Sequence, residues 1–332
     1  MATKKMFKTN AKQNKMLNDL LIEREVLAAI RSKFCVNLHY AFQSDIEVSL
    51  VLSLCPGGDL AFLLQSRYPE TKKKSDRVFN PLPAGAIAYY AASMALGLQA
   101  IHEAGYVYRD LKPQNVLLDV DGRVKISDMG LTALVKDKAI KQCSGTRGYW
   151  SPETIKKEPY KFEPDWWSLG VTMYVLTSDK LPFKGKDDAE KDEATKAGVI
   201  EFNHDEPADV QKVISSLCTI DITKRLGCNG GVSELKKDPY FSTFDWAALE
   251  EGDSAPPIVP NPNDINAPSK KDIEGFKPSK EVTWDPADQE RFAGWDFFDK
   301  DLWCSYEAAF RIDNRKEIAG GGGGGGGCCV IA

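Results

Sequence analysis

The sequence predicts an α+β fold in which a strand-rich region precedes a larger helical one. Two short apolar segments typical of strands lie near the amino terminus, at 36–42 and 47–54. From Ala84 to Ala104 the chain is apolar and interrupted only by Gly85 and Gly97. This pattern predicts a helix that is buried on most sides. We expect it to be the centre of a larger lobe.

The remaining elements are predicted from periodicity. An amphipathic helix is expected over 16–31, where leucines recur at helical spacing between charged residues. The two short apolar runs within 116–126, separated by a turn from Asp119 to Gly122, predict a hairpin. Further helical patterns run through 166–177 and 210–218.

The composition changes after Tyr240. Prolines recur there in a polar background: Pro256, Pro257, Pro260, Pro262, Pro268, Pro278 and Pro286. Because proline interrupts helices and central strands, we expect an extended segment laid over the domain surface. A run of glycines at 320–327 is a flexible linker by composition.

Composition excludes several classes of protein. The 332 residues are 42% hydrophobic and 27% charged, which predicts a globular chain. A net charge of −5 argues against a dedicated nucleic-acid binder. No apolar run of about 18 residues predicts a membrane span, and none follows the lysine-rich start as a signal peptide would. The cysteines lack Cys-x-x-Cys spacing, so neither zinc nor a disulfide framework is predicted.

The most informative residues lie between 108 and 118. Asp110, Lys112 and Asn115 place a carboxylate, a cation and an amide oxygen on one loop. Such a set can orient a hydroxyl, neutralise a phosphate and hold a metal. Asp128, at the end of the predicted hairpin, offers a second carboxylate for magnesium.

Two further motifs follow in order, Gly145-Thr146-Arg147-Gly148-Tyr149-Trp150-Ser151-Pro152-Glu153 and Asp165-Trp166-Trp167-Ser168-Leu169-Gly170. Together with the 108–118 loop they resemble the eukaryotic protein kinases over 1–241. The resemblance implies a bilobal kinase fold and transfer of the γ-phosphoryl group of ATP, with Mg²⁺, to serine or threonine.

The resemblance also implies roles for single residues. Asp110 is the expected catalytic base, Lys112 steadies the transferring phosphoryl group, and Thr146 fixes that lysine and the incoming hydroxyl. Asn115 and Asp128 are the expected magnesium ligands. A separate, structural pair is expected between Glu153 and Arg225.

By the same resemblance, Lys4 pairs with Glu23 of the first helix and grips the inner phosphates of the nucleotide. The expected nucleotide contacts are Leu52 as gatekeeper, Ser53 to Cys55 as the hinge, Asp59 at the ribose and Leu117 under the purine. Two alternatives stay open. The lysines among the first fifteen residues could form a solvated face, and Cys55 could be a small core residue.

The sequence departs from the family before Lys4. A kinase carries two strands and a glycine-rich phosphate loop ahead of this lysine, and 1–3 contains neither. The expectation is a truncated kinase that also lacks a preceding regulatory helical domain. A lipid-tethered pseudokinase scaffold is the alternative from another class of protein.

Within the kinases, the sequence resembles the G-protein-coupled receptor kinases of the AGC group. Tyr108 stands where many kinases have histidine, and Met129 follows Asp128 where receptor kinases have leucine. Gln142, four residues before Thr146, replaces the activating phosphothreonine of cyclic-nucleotide-dependent relatives. Activated receptors are therefore the expected substrates, and an AGC kinase with soluble substrates is the alternative.

The carboxyl-terminal region carries two further signals. Residues 292–297 resemble the hydrophobic motif that docks on the small lobe, with Asp296 as a fixed charge where relatives carry a phosphoserine. The alternative is a surface turn with exposed aromatic rings. Helically spaced apolar residues, Leu302, Trp303, Tyr306, Ala309 and Phe310, resemble the segment that returns to the regulatory domain of receptor kinases.

The last four residues form a prenylation box. Cys329 begins a Cys-aliphatic-aliphatic-Ala sequence that favours a farnesyl group, and Cys328 could carry a second, reversible lipid. We therefore expect a cytoplasmic, monomeric protein that binds the membrane through this lipid and does not bind nucleic acid. The expected layout is a kinase domain at 1–241, an AGC-type extension at 242–318 and a lipidated linker at 319–332.

Overall fold

The computed structural model describes residues 1–68, 79–202, 206–261 and 282–300. Within these residues the strands are β1 (Ala2–Phe7), β2 (Leu38–Gln43), β3 (Glu47–Leu52), β4 (Tyr106–Val107), β5 (Val116–Leu118), β6 (Val124–Ile126), β7 (Ala133–Leu134) and β8 (Phe297–Phe298). The helices are α1 (Lys8–Gln13), α2 (Leu17–Ala29), α3 (Leu60–Ser66), α4 (Ala84–Glu103), α5 (Pro152–Lys156), α6 (Glu163–Ser178), α7 (Asp188–Ala197), α8 (Ala208–Leu217), α9 (Val232–Leu235), α10 (Trp246–Glu251) and α11 (Pro286–Glu290). The predicted α+β class is confirmed.

A small antiparallel sheet forms the amino-terminal part of the fold, with strand order β1-β3-β2-β8. Strand β1 pairs with β3 so that Lys4 lies opposite Leu50. Helix α2 begins and ends within the predicted 16–31 region, because Ile30 already has an extended backbone. Its buried residues are Leu17, Leu20, Glu23, Val26 and Leu27, so one charged side chain lies among the apolar ones.

Helix α4 is the central helix of the larger part, as predicted. Gly97 allows a close approach, since a Cβ there would lie 2.7 Å from Ile126 Cδ1 and 3.0 Å from Phe34 O. By length and composition α4 could cross a membrane, contrary to the expectation that no run would qualify. Most of its residues are buried inside the fold, as in the core helix of a globular protein.

The hairpin at 116–126 is confirmed as β5 and β6. Val116 pairs with Ile126, and Leu118 pairs with Val124. The carboxylate of Asp119 accepts the backbone N–H groups of Asp121 at 3.0 Å and Arg123 at 2.9 Å, which closes the turn.

The proline-rich chain after α10 has the predicted extended course as far as residue 261. It passes over the hairpin turn, where a Cβ on Gly122 would come within 2.2 Å of Ile258 O. It then reaches the turn before α3, where a Cβ on Gly57 would lie 2.6 Å from Pro260 Cγ. Both glycines are needed because the segment lies directly on their backbone.

The 292–297 segment docks on the small sheet, as the resemblance predicted. Strand β8 extends the sheet by pairing with β2, and Trp295 Nε1 donates to Phe42 O at 3.1 Å. Phe292 is completely buried and Trp295 is 2% exposed. The alternative of a surface turn with exposed aromatics is therefore wrong. The apolar segment after residue 301 and the two terminal cysteines lie outside the described residues.

Helix α1 was not predicted, and it carries a buried lysine. The Nζ atom of Lys8 donates to Gln43 Oε1 at 3.0 Å, Ser44 O at 2.6 Å and Gln289 Oε1 at 2.8 Å. Burial lowers the pKa of Lys8, although Asp45 and Asp296 raise it. A solvated lysine face is thus wrong for this residue, which ties α11 to the small sheet.

Candidate active site

The loop that follows β4, at 108–110, is fixed by the buried carboxylate of Asp165. Asp165, at the start of α6, accepts the N–H groups of Tyr108 at 2.8 Å and Arg109 at 2.7 Å. It also bonds His102 Nε2 at 2.7 Å. Arg109 has a φ of 72°, a conformation that is uncommon for a residue with a side chain. The fixed carboxylate stabilises this turn, and the turn presents the next residue, Asp110.

Asp110 is the centre of a dense hydrogen-bonded group. Its Oδ1 accepts from Thr146 Oγ1 at 2.6 Å, and its Oδ2 accepts from Lys112 Nζ at 2.8 Å and Asn115 Nδ2 at 2.8 Å. Lys112 Nζ also donates to Thr146 Oγ1 at 2.6 Å. Asp110 is only 5% exposed. The fold therefore brings together four predicted residues from two distant segments of chain.

Gly145 makes the approach of Thr146 possible. It has a φ of 98°, and a Cβ at this position would lie 2.1 Å from Arg109 O. The backbone of 145–146 therefore rests directly on the backbone of the loop at 108–110. No residue with a side chain fits there without displacing one of the two segments.

Asn115 and Asp128 lie on adjacent loops. Asn115 O accepts from Ser127 N at 2.9 Å and from Ser127 Oγ at 3.0 Å, which fixes the residue before Asp128. Asp128 has a φ of 53°, and its side chain is 56% exposed. Asn115 Nδ2 donates to the backbone and carboxylate oxygens of Asp110. The side-chain atom of Asn115 that could bind a metal is therefore Oδ1.

This donor set fits magnesium. Mg²⁺ is commonly held by one or two carboxylates together with substrate phosphates, and it prefers oxygen ligands. An amide oxygen of Asn115 and the carboxylate of Asp128 supply that kind of site. Among the described residues no group of three or more His, Cys, Asp and Glu side chains forms an all-protein metal site.

Lys4 and Glu23 form the predicted ion pair. Lys4 Nζ lies 2.7 Å from Glu23 Oε1 and 2.9 Å from Oε2. Burial raises the pKa of Glu23, while the charge of Lys4 acts in the opposite direction. Lys4 Nζ also lies 4.0 Å from Asp128 Oδ1. The ammonium group of Lys4 thus lies between Glu23 and the predicted metal ligand Asp128.

A cavity of about 200 Å³ opens between the small sheet and the larger lobe. Its lining residues are Ala2, Glu23, Leu27, Val36, Leu52, Ser53, Leu54, Cys55, Leu117, Ser127 and Asp128. The predicted nucleotide contacts therefore converge here, with Lys4 and Asp59 outside the lining. The amide N–H of Ser53 is donated to Asn37 O at 3.0 Å, and the carbonyl of Ser53 accepts a weak contact from Cys55 Sγ at 3.9 Å. Burial raises the pKa of the Cys55 thiol to about 11, so that thiol stays protonated.

Asp59 and Leu117 lie side by side at the edge of this cavity, since their backbones form an isolated bridge. Asp59 is the N-cap of α3, and its Oδ1 accepts from Phe62 N at 2.7 Å. One carboxylate oxygen therefore has a structural task. The other is the one that a ribose hydroxyl could use.

The predicted structural pair between Glu153 and Arg225 is formed deep in the larger lobe. Arg225 NH1 and NH2 donate to the two carboxylate oxygens of Glu153 at 2.6 and 2.9 Å. The guanidinium is fully buried and also donates to Thr219 O and Glu163 O. This bidentate contact joins α5 to the loop after α8.

Gln142 is the residue predicted to replace an activating phosphothreonine, and its side chain contacts Arg109. Arg109 Nε donates to Leu131 O at 2.6 Å and Arg109 NH2 to Thr132 O at 3.2 Å, while NH1 reaches Gln142 Oε1 at 3.4 Å. A neutral amide thus contacts the guanidinium of the residue before Asp110, the predicted base. Tyr160 holds the same residue by donating to Gln142 O at 2.5 Å.

The roles of Asp165 and Arg109 could not be predicted from the sequence. Asp165 was part of a recognised motif, but the sequence does not reveal that its carboxylate faces the loop at 108–110. A buried acid at the first turn of an otherwise apolar helix was the available signal, because such a residue needs a partner. Arg109 carries no comparable signal, since a loop arginine is usually solvated.

Comparison with known proteins gives a consistent result. The model of the protein kinase domain matches residues 1–241. The chain is 36% identical over 301 residues to G protein-coupled receptor kinase 2 of Drosophila melanogaster, covering 86% of this chain and 40% of that protein. It is 32% identical over 299 residues to the rhodopsin kinase of Rattus norvegicus, covering 88% of this chain and 51% of that protein.

A relative that is not named as a receptor kinase has a similar sequence identity to this chain. Ribosomal protein S6 kinase 2 beta of Xenopus laevis is 35% identical over 276 residues, covering 78% of this chain and 41% of that protein. In all three comparisons the chain spans about half the length of the curated relative or less.

Proposed function

Because the chain belongs to the protein kinase family, we propose that it transfers the γ-phosphoryl group of ATP to serine or threonine hydroxyls of activated G-protein-coupled receptors. The observation that carries the chemistry is the group around Asp110. Asp110 Oδ1 and Lys112 Nζ both bond the hydroxyl of Thr146, so a carboxylate and an ammonium group already lie around one hydroxyl, as a hydroxyl nucleophile requires.

In this mechanism each residue has a separate task. Asp110 orients the substrate hydroxyl and accepts its proton as the new oxygen–phosphorus bond forms, while the bond from the γ-phosphorus to the bridging oxygen breaks and ADP leaves. Lys112, beside it, stabilises the negative charge of the transferring group. Thr146 holds both side chains, so that their relative position does not depend on the substrate.

The nucleotide would occupy the cavity beside the Ser53 to Cys55 segment. Leu52 and Leu117 supply apolar contacts for the purine, and Lys4, held by Glu23, binds the inner phosphates. Asn115 and Asp128 would hold magnesium, which neutralises phosphate charge when it is bound.

Three observations support receptors as the substrate class. Two relatives named above are a receptor kinase and a rhodopsin kinase. Gln142, which contacts Arg109, stands where cyclic-nucleotide-dependent relatives carry a phosphothreonine. The receptor kinases that the sequence resembles also lack this phosphorylation switch. The prenylation box at Cys329 would bring the enzyme to the cytosolic membrane face, where an activated receptor exposes its hydroxyls.

The same proposal includes the layout of the chain. The kinase domain occupies 1–241, the AGC-type extension 242–318 and the lipidated linker 319–332. Farnesyl at Cys329 gives only marginal membrane binding by itself, so a second lipid at Cys328 would strengthen it. The enzyme acts as a monomer.

One observation favours a second candidate, an AGC kinase with soluble substrates. The ribosomal protein S6 kinase matches this chain at 35% identity, close to the 36% of the Drosophila receptor kinase. The site chemistry is the same in both cases, because the substrate class depends on surfaces beyond Asp110.

The test compares three substrates with the full chain and radiolabelled ATP. These are membranes with an agonist-activated receptor, the same membranes with an antagonist, and a soluble serine peptide. Preferential labelling of the activated receptor is the expected result. Equal labelling of both membranes with efficient labelling of the peptide would favour the soluble-substrate candidate.

The lipid is tested separately with labelled farnesyl diphosphate and a farnesyltransferase. Wild type and Cys328→Ser should incorporate the label, and Cys329→Ser should not. Lack of incorporation into wild type would remove the membrane part of the proposal and leave the kinase chemistry untouched.

A further inference from the structure

Three consecutive residues of α2 bind three different parts of the protein. Glu23 bonds β1, Arg24 bonds the segment before β8, and Glu25 bonds β4 of the larger lobe. Successive residues of a helix point about 100° apart. The helix that carries the nucleotide-side glutamate is therefore held from three directions by polar contacts.

The contact to β4 joins the two lobes. The hydroxyl of Tyr106 donates to Glu25 Oε1 at 3.0 Å. Tyr106 is 7% exposed, and its backbone pairs with Leu134 of β7, so the ring has a fixed place. Burial, with a smaller contribution from Glu25, raises the pKa of Tyr106 to about 12, and the hydroxyl remains a donor at neutral pH.

The position of Tyr106 in the chain gives this contact its significance. Strand β4 ends at Val107, and the chain then turns directly into the catalytic loop at Asp110. On the other side, Glu25 follows Glu23 by two residues of the same helix. One hydrogen bond thus connects the backbone that carries the predicted base with the helix that positions Lys4.

We propose that Glu25 and Tyr106 are positioning residues whose hydrogen bond holds α2 against the larger lobe and keeps Glu23 within hydrogen-bonding distance of Lys4. This inference rests on the proposed kinase function. Neither residue lines the nucleotide cavity, so neither would touch the nucleotide base. Their hydrogen bond instead raises the fraction of molecules in which α2 holds Glu23 against Lys4, the residue proposed to bind the phosphates.

Loss of the hydrogen bond between Glu25 and Tyr106 should have a moderate effect on nucleotide binding. The carboxylate of Glu25 lies on an exposed residue, so water screens the contact. The apolar face of α2, with Val26 fully buried, keeps the helix folded without it. We therefore expect a change of about three- to tenfold, as an ordinary hydrogen bond gives.

The test uses the full chain and a double-mutant cycle of Tyr106→Phe and Glu25→Met. Each single variant should raise the KM for ATP about three- to tenfold and change kcat less, because nucleotide positioning is affected before chemistry. The double variant should be no worse than either single one. Glu25→Gln retains an acceptor oxygen and should lie closer to wild type than Glu25→Met.

Tyr174→Phe is the matched control. It removes a tyrosine hydroxyl that donates one hydrogen bond, to Glu201 O at 2.8 Å, far along α6. Its KM for ATP should equal that of wild type. A rise as large as that of Tyr106→Phe would mean that the effect is general destabilisation and would overturn the proposal.

Hydrogen exchange provides a readout that needs no substrate. In Tyr106→Phe the amides of α2 should exchange about three- to tenfold faster while those of α6 stay unchanged. Unchanged exchange in α2, or additive effects in the double variant, would overturn the inference. If wild type phosphorylates no substrate, the proposed function fails, but exchange still decides whether the contact holds α2.

Discussion

Thr146 donates a hydrogen bond to Asp110 at 2.6 Å, although 36 positions separate the two residues in the chain. The same hydroxyl accepts from Lys112 Nζ at 2.6 Å. A single side chain therefore contacts both the proposed base and the proposed cation, which also bond each other directly at 2.8 Å. The segment that carries Thr146 must be in place before the site can work.

Replacing Thr146 tests this coupling. Thr146→Ala removes both hydrogen bonds and should lower kcat about ten- to a hundredfold, because two charged groups lose a shared partner. Thr146→Ser keeps the hydroxyl and should stay within a small factor of wild type. Steady-state phosphorylation of a serine peptide measures both, and equal rates for alanine and wild type would contradict the bridging role.

Asp110→Asn should abolish measurable turnover. Loss of a positioned general base costs about 10²- to 10⁴-fold, and asparagine accepts no proton at neutral pH. Nucleotide affinity should change little, since Asp110 does not line the cavity. Phosphate transfer and binding of a fluorescent ATP analogue are measured on the same preparation. Substantial residual transfer would contradict the assignment of the base.

Glu23 gives a prediction about pH. Burial raises its pKa above the ordinary value of 4.5, so the folded state holds this proton more tightly than the unfolded state. Its contribution to stability is then full below the ordinary pKa and is lost as pH rises through the raised one. Glu23→Gln should lack this fall.

The measurement is chemical denaturation of wild type and Glu23→Gln between pH 4 and pH 8. The difference in unfolding free energy should move in favour of glutamine as pH rises, while the variant binds ATP more weakly because Lys4 loses its partner. A difference that stays constant with pH would contradict a raised pKa.

The Glu153–Arg225 pair should be important for stability rather than chemistry. Arg225→Met leaves a buried carboxylate without its bidentate partner and should lower the free energy of unfolding by about 3–5 kcal/mol. The exposed pair of Lys196 and Glu193 is the control, and Lys196→Met should cost less than about 1 kcal/mol. Similar denaturation midpoints for both variants would contradict the burial argument.

Trp295→Ala should release the carboxyl-terminal segment from the small sheet. Trp295 is 2% exposed and donates to Phe42 O, whereas Phe298 in the same segment is 45% exposed. Limited proteolysis should therefore cut within 282–300 in Trp295→Ala much faster than in wild type, and Phe298→Ala should show a smaller change. Equal cleavage of wild type and Trp295→Ala would contradict docking through this ring.

Much of the fold was predictable because its signals are local. The apolar pattern of α4, the amphipathic pattern of α2 and the turn at Asp119 follow from residues near one another in the chain. Helix α1 and strand β8 were missed for the opposite reason. They are short, and contacts with distant segments stabilise them: Lys8 of α1 donates to Gln289 of α11, and β8 pairs with β2.

By itself the sequence determined the α+β class and the chemical types at the site, since the order and spacing of Asp110, Lys112 and Asn115 are written in one loop. Only the tertiary structure decided which groups from distant parts of the chain complete the site around Asp110. Asp165 beneath the loop, Thr146 across it and Tyr106 against Glu25 come together because the two lobes pack. A hydrogen bond depends on distances of a few tenths of an ångström, and chain order alone does not set such distances between remote segments.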